Sequence, residues 1–250
     1  MYLENEDIHN IFWCGGMDST YLVCKSVIVD REPIQTYYLN FPCDGYYPPY
    51  PLGRDSREVE VKVMEKLREM IIKQFPYTES LFPPTILVEE FPINKEVYKK
   101  LRFLHEEYNH SRRLIDQNFF MAQYALHRKE IFEIGYEKDI NVGGYSPATR
   151  LLREHMNDDF LISHSEIREL DIYKYWKFPI SKTYRKEMVQ DSINYDFKKV
   201  LENTWSCRWP KPNGDICGGV VEYDDETIGC CQSDYEFIKR KSNYNDILND

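Results

Sequence analysis

Residues 13–20, Trp-Cys-Gly-Gly-Met-Asp-Ser-Thr, carry the strongest chemical signal in the chain. Two adjacent glycines, Gly15 and Gly16, permit a tight turn whose backbone N–H groups can face an anion with no side chain in the way. Asp18, Ser19 and Thr20 follow directly and open a stretch with apolar positions, so the positive end of a helix faces the same spot. Hydroxyls of Ser19 and Thr20 can donate to phosphate oxygens, and the Asp18 carboxylate can approach a Mg2+ ion. The pattern is neither a Walker A loop, which ends in Gly-Lys-Ser/Thr, nor a GxGxxG turn. It suits a grip on polyphosphate, where catalysis comes from positioning and charge stabilisation and requires no nucleophile. Arg57 or Lys182 could neutralise a leaving pyrophosphate, although lysines and arginines are more often simply solvated.

A second group of reactive side chains lies in the tail. Cys207, Cys217, Cys230 and Cys231 alternate there with Gly214, Gly218, Gly219 and Gly229. Four thiolates around one Zn2+ would staple a segment that has little hydrophobic material of its own. The spacing is not CxxC…CxxC, and adjacent cysteines seldom ligate one tetrahedral metal without strain. A partial site, or free thiols packed as small apolar groups, is the alternative, with His155 and His164 as replacement ligands.

The elements that must position these groups are legible from periodicity. Residues 10–14 read as a strand running into the Gly-Gly turn, followed by a helix. Residues 34–41, 85–91 and 139–144 read as three further strands, the last ending in a second Gly pair. Apolar residues at 59, 63, 64, 67, 70 and 71 predict a helix over 56–75, and residues 114–136 read as the longest helix. Another helix starts near Thr183, while 42–55 is too rich in Pro, Tyr and Gly for regular structure. Alternation of strands and helices predicts an α/β fold with a mainly parallel, twisted sheet and sites at the carboxyl ends of its strands. The texture changes near Trp205, so residues 1–204 read as the α/β domain and 205–250 as a small Cys-rich element.

Composition narrows the partners. The net charge of −10 disfavours a long nucleic-acid interface, whose affinity comes mostly from cationic contacts to phosphate. Aromatic residues reach 15%, with 20 tyrosines, and core packing explains such a surplus more readily than base stacking. No apolar run is long enough to span a membrane, and Met1–Asn10 lack the basic start and apolar stretch of a signal peptide. With 7 cysteines and no export signal, the chain reads as a cytoplasmic protein of a reducing compartment.

Residues 14–20 resemble the S/T-G-G-x-D-S/T signature of the PP-loop ATP pyrophosphatases, with Cys14 where Ser or Thr is usual. That resemblance implies the adenine nucleotide alpha-hydrolase-like fold, with Cys14, Gly15, Gly16, Met17, Asp18, Ser19 and Thr20 around ATP. Asp18 and Ser19 would be the catalytic residues, and Mg2+ would accompany the nucleotide. Within the superfamily the chain resembles the 7-cyano-7-deazaguanine synthases. Thr204-Trp205-Ser206-Cys207 looks like the T-W-S-C segment that leads into that family's zinc site. The segment 182–189 is similar to its T-K-x-E-I-V helix, and 117–125 to its R-N-x-x-F helix, with Gln117 where Arg is usual and Asn118 retained. Residues 140–150 correspond to a substrate loop, making Asn118, Tyr145 and Arg150 the implied substrate contacts. The implied activity is that of an ATP-dependent, C–N bond-forming ligase of 7-deazapurine (queuosine-type) biosynthesis. Adenylation of 7-carboxy-7-deazaguanine would be followed by displacement of AMP by ammonia and by dehydration of the amide to a nitrile. Zinc on Cys207, Cys217, Cys230 and Cys231 would be structural. A homodimer is admitted but not required by anything in the sequence.

Three other readings stay open. A relative could activate a different carboxylate. A tRNA sulfur transferase of the same fold would need a reactive thiol, for which Cys24 and Cys43 are the candidates. A non-catalytic nucleotide-binding module would bind ATP without cleaving it.

Overall fold

The computed structural model describes residues 8–40, 57–100, 112–137, 157, 168–205, 220–223 and 226–229. Its strands form a five-stranded sheet with the order β3-β2-β1-β4-β5. The strands are β1 (His9–Phe12), β2 (Ile34–Leu39), β3 (Ile86–Val88), β4 (Phe132–Ile134) and β5 (Trp176–Lys177). Every pairing between them is parallel. The chain first winds outward from β1 through β2 to β3, then returns to lay β4 along the other side of β1. The expected α/β class with a parallel sheet is therefore present. Among the described residues no helix is long and apolar enough to cross a membrane.

Parallel strands are covered on both faces, so successive residues feed two different cores. Phe12, Tyr37, Phe132 and Ile134 pack on one face against α3 (Arg112–Arg128), through Phe119, Ala122 and Tyr124 among others. Ile11, Ile34 and Tyr38 pack on the other face against α1 (Met17–Cys24) and α2 (Arg57–Gln74). This second core also takes in α4 (Arg185–Asn194) and α5 (Lys198–Glu202), through Met188, Val189, Val200 and Leu201. The aromatic surplus goes into these layers. Phe12 stacks on Phe132 at 4.5 Å and Tyr37 meets Phe132 edge-on at 5.0 Å, contacts that add about 0.5–1.5 kcal/mol each beyond simple burial.

Helix α2 follows its sequence pattern, burying Met64, Leu67 and Ile71 at helical spacing. Glu60 is buried beside them because its carboxylate accepts the Tyr38 hydroxyl at 2.7 Å. Helix α1 is buried at every residue but Asp18 and lies sunk between the sheet and its neighbours. It continues as a π-helical turn over Lys25–Asp30 and stops at Arg31, in the left-handed region at φ 59°.

One element departs from expectation. The helix read over 114–136 ends at Arg128, where Lys129 turns left-handed at φ 56°. The remaining run, Phe132–Ile134, is the fourth strand, seated between β1 and β5. Apolar residues at 131, 132 and 134 satisfy helical and strand spacing alike, and no Gly or Pro separates them from the helix. The strand expected at 139–144 lies outside the described residues. In the tail, β6 (Val220–Tyr223) and β7 (Glu226–Gly229) form an antiparallel pair, whereas the four cysteines of the expected zinc site lie outside the described residues.

Candidate functional site

Reversal of direction at β1 creates a switch point at the carboxyl ends of β1 and β4, the place where open parallel sheets bind their ligands. The Gly-Gly turn occupies that position. Trp13 extends the ladder by one bond, its N–H donating to the Tyr37 carbonyl at 2.9 Å, and the chain then breaks away at Gly15 with φ +72°. Gly16 is extended and caps α1, whose first internal bond runs from the Thr20 N–H to the Gly16 carbonyl at 2.9 Å. Among the described residues the N–H groups of Gly16, Met17 and Ser19 meet no protein acceptor. They are the donors a helix of this kind leaves unmatched at its positive end.

The loop is tightly enclosed. A Cβ at Gly15 would stand 3.2 Å from Val63 Cγ1 and 3.4 Å from Met64 Cγ, so α2 forms its floor. Gly135, directly after β4, approaches from the other side. A Cβ there would lie 2.6 Å from Ser19 Cα, 2.7 Å from Ser19 N and 2.9 Å from Asp18 C, all backbone atoms with no freedom to swing away. Only glycine lets the end of β4 lie against the first turn of α1.

Two helix N-termini converge here. The Tyr21 hydroxyl donates to Asp191 at 2.6 Å, and Asp18 Oδ1 lies 3.7 Å from an Arg185 guanidinium nitrogen. These pairs run in the same order along α1 and α4, so the two helices run in the same sense. Arg185 is also gripped by Glu137, two residues beyond Gly135, with Nε donating at 3.1 Å and a second guanidinium bond to the same carboxylate. The mouth of the loop thus holds a cation between two carboxylates.

The candidate residues separate into groups. Asp18 is partly exposed, and the Ser19 hydroxyl donates to the Gly16 carbonyl at 3.3 Å with Cys14 Sγ 3.7 Å away. Thr20 is different: it is fully buried and its hydroxyl accepts the Trp13 indole N–H at 2.9 Å, so that oxygen serves the core. Met17 is likewise a core residue. Asn118 is buried on α3, where its carbonyl oxygen accepts the Tyr136 hydroxyl while its Nδ2 meets no partner among the described residues. Tyr136 follows Gly135, which brings Asn118 to the same end of β4. Tyr145, Arg150, His155, His164 and Cys43 lie outside the described residues, as do Cys207, Cys217, Cys230 and Cys231. No group of metal-binding side chains occurs among the described residues.

Of the two cations named as pyrophosphate partners, Arg57 is paired with Glu89 and Lys182 is exposed. Among the described residues Arg185 is the cation paired with Asp18, and sequence reading passed over it inside Lys-Thr-Tyr-Arg-Lys because nothing local distinguishes it from its neighbours. Gly135 and Glu137 were missed with β4 itself; a lone Gly after an apolar run was their only signal. Cys24 is fully buried, and burial pushes its thiol well above the usual range. A cavity of about 520 Å³ between residues 92–96 and Gln123–His127 includes no residue of the loop. The chain matches no protein-family model and no curated protein.

Proposed function

We propose that the protein is an ATP-dependent adenylating enzyme of the PP-loop ATP pyrophosphatase type, acting on a small carboxylate. The observation that carries this reading is the Gly15-Gly16 turn at the switch point, with N–H donors of Gly16, Met17 and Ser19 at the start of a buried helix. Donors held by a rigid scaffold bind anionic oxygens without reorganising, which makes them effective where charge accumulates.

In the proposed reaction a carboxylate oxygen of the substrate attacks the α-phosphorus of ATP. The bond from that phosphorus to the bridging oxygen breaks, and pyrophosphate leaves with the electron pair. Loop amides receive the phosphate oxygens, and Arg185, already between Asp18 and Glu137, supplies positive charge at the same mouth. Asp18 is the residue suited to hold Mg2+, which when bound would offset the charge of the departing pyrophosphate. Ammonia then attacks the acyl adenylate, forming the C–N bond and expelling AMP. By resemblance to the 7-cyano-7-deazaguanine synthases, a second ATP would activate the amide oxygen for loss, leaving the nitrile. Asn118, buried with its Nδ2 unmatched among the described residues, is a donor suited to an acceptor atom of the substrate.

Pyrophosphate release tests this reading, with ATP, Mg2+, ammonia and a panel of carboxylates that includes 7-carboxy-7-deazaguanine. Release dependent on one carboxylate is expected, and Asp18→Ala should abolish it while the melting temperature stays close to that of the unaltered chain. ATP binding without release would identify a non-catalytic module. Full activity in Asp18→Ala would remove the loop from the mechanism.

A further inference from the structure

We propose that Trp205 is a positioning residue whose backbone N–H sets the conformation of the glycine loop, so that the segment entering the Cys-rich tail controls nucleotide affinity. This rests on the nucleotide reading above. The Trp205 N–H donates to the Gly15 carbonyl at 2.8 Å, and the Trp205 carbonyl lies 3.6 Å from where a Gly16 Cβ would stand. A trans peptide is planar, with its C=O and N–H pointing in opposite directions. Holding the Gly15 carbonyl towards Trp205 therefore turns the N–H of Gly16 the other way, away from Trp205. If that peptide rotated, the donor would turn towards Trp205 instead.

Two consecutive glycines have more backbone freedom than any other pair, so the loop needs an external hold to be organised before ligand arrives. The donor is itself anchored. Asn203 accepts from Lys66 of α2 at 2.8 Å and donates to the Lys199 carbonyl at 2.8 Å, and Thr204 bonds back to the Leu201 carbonyl at 2.7 Å. Trp205 is thus held by α2 and α5, the same framework that floors the loop at Val63 and Met64. The group that matters is the amide and not the indole.

Calorimetric titration of ATP into the unaltered chain, Trp205→Pro and Trp205→Ala separates these. Proline lacks the donor and alanine retains it. Trp205→Pro is expected to weaken ATP binding by about tenfold, the scale of one lost hydrogen bond, and Trp205→Ala by much less. Equal losses in the two variants, or none in Trp205→Pro, would overturn the proposal. Because the proline chain could fail to fold, a second measurement uses the unaltered protein. Coupling is reciprocal, so saturating ATP must slow hydrogen exchange at the Trp205 amide, and unchanged exchange would also overturn it. Absence of any ATP binding to the unaltered chain would instead sink the nucleotide reading, and this inference with it.

Discussion

Strands β1 and β4 contribute to both edges of the sheet, and they finish those edges in opposite ways. Towards the amino edge, Glu133 of β4 is buried but paired, its Oε1 taking His9 Nδ1 at 2.8 Å and Lys177 Nζ at 3.1 Å, while His9 Nε2 reaches Glu32 at 3.3 Å. At the carboxyl edge the same strands lead into Gly15 and Gly135, and the first N–H groups of the α1 turn meet no acceptors among the described residues. One edge satisfies its polar groups internally and so contributes stability. The other leaves polar groups pre-aligned and unspent, which is the condition for binding an outside anion.

Adding a single methyl group at the carboxyl edge should have the largest effect. Gly135→Ala places a carbon against the Ser19 and Asp18 backbone, so α1 or β4 must shift. Overpacking of this kind costs about 1–3 kcal/mol, and a displacement near 1 Å at a reacting site costs roughly 100-fold in rate. Pyrophosphate release should therefore fall by about 100-fold or more, with a visibly lowered melting temperature. Retention of activity would mean that the loop tolerates movement and that the two edges differ less than proposed.

Removing charge at the amino edge should do the reverse. Glu133→Gln is expected to cost about 1–2 kcal/mol in denaturant unfolding, discounted because His9 and Lys177 are partly solvated, and to leave ATP binding unchanged. The pH dependence follows from the same groups. The hydrogen bond that His9 donates to Glu133 raises the His9 pKa, against opposition from burial and with help from the Glu133 and Glu32 charges. Burial alone would raise the Glu133 pKa, yet the hydrogen bond and charge of His9, with those of Lys177, lower it overall. The His9 contribution is complete below the ordinary imidazole value and is lost as pH rises through its raised value. That of Glu133 is present above the ordinary carboxylate value and is lost as pH falls through its depressed one. Unfolding free energy should then be greatest between the two, and His9→Gln should flatten the alkaline flank.

Smaller again is Gly15→Ala. The left-handed φ of +72° costs an L-residue about 1–2 kcal/mol, and Val63 must give way slightly. A roughly tenfold weaker ATP affinity in titration is expected. At the bottom of the scale, Arg57→Ala removes an exposed pair with Glu89 and should change stability by less than about 0.5 kcal/mol, with unaltered pyrophosphate release.

Local chemistry wrote much of this molecule plainly. The freedom of Gly15-Gly16, the hydroxyl-rich helix start behind it, the apolar stripe of α2 and the strand–helix alternation are properties of neighbouring residues, and they announce a parallel sheet with a loop at its carboxyl edge. Some features had no local signature. The strand Phe132–Ile134 shares its apolar spacing with the helix before it, and it becomes a strand because β1 and β5 offer ladder partners on both sides. The Thr20 hydroxyl turns to Trp13, Arg185 arrives beside Asp18, and the Trp205 amide reaches Gly15. Whether a hydroxyl faces ligand or core, and which distant cation or donor completes a loop, depends on crossover direction and strand order. Those bring together residues that are far apart along the chain, and no short window of sequence contains them.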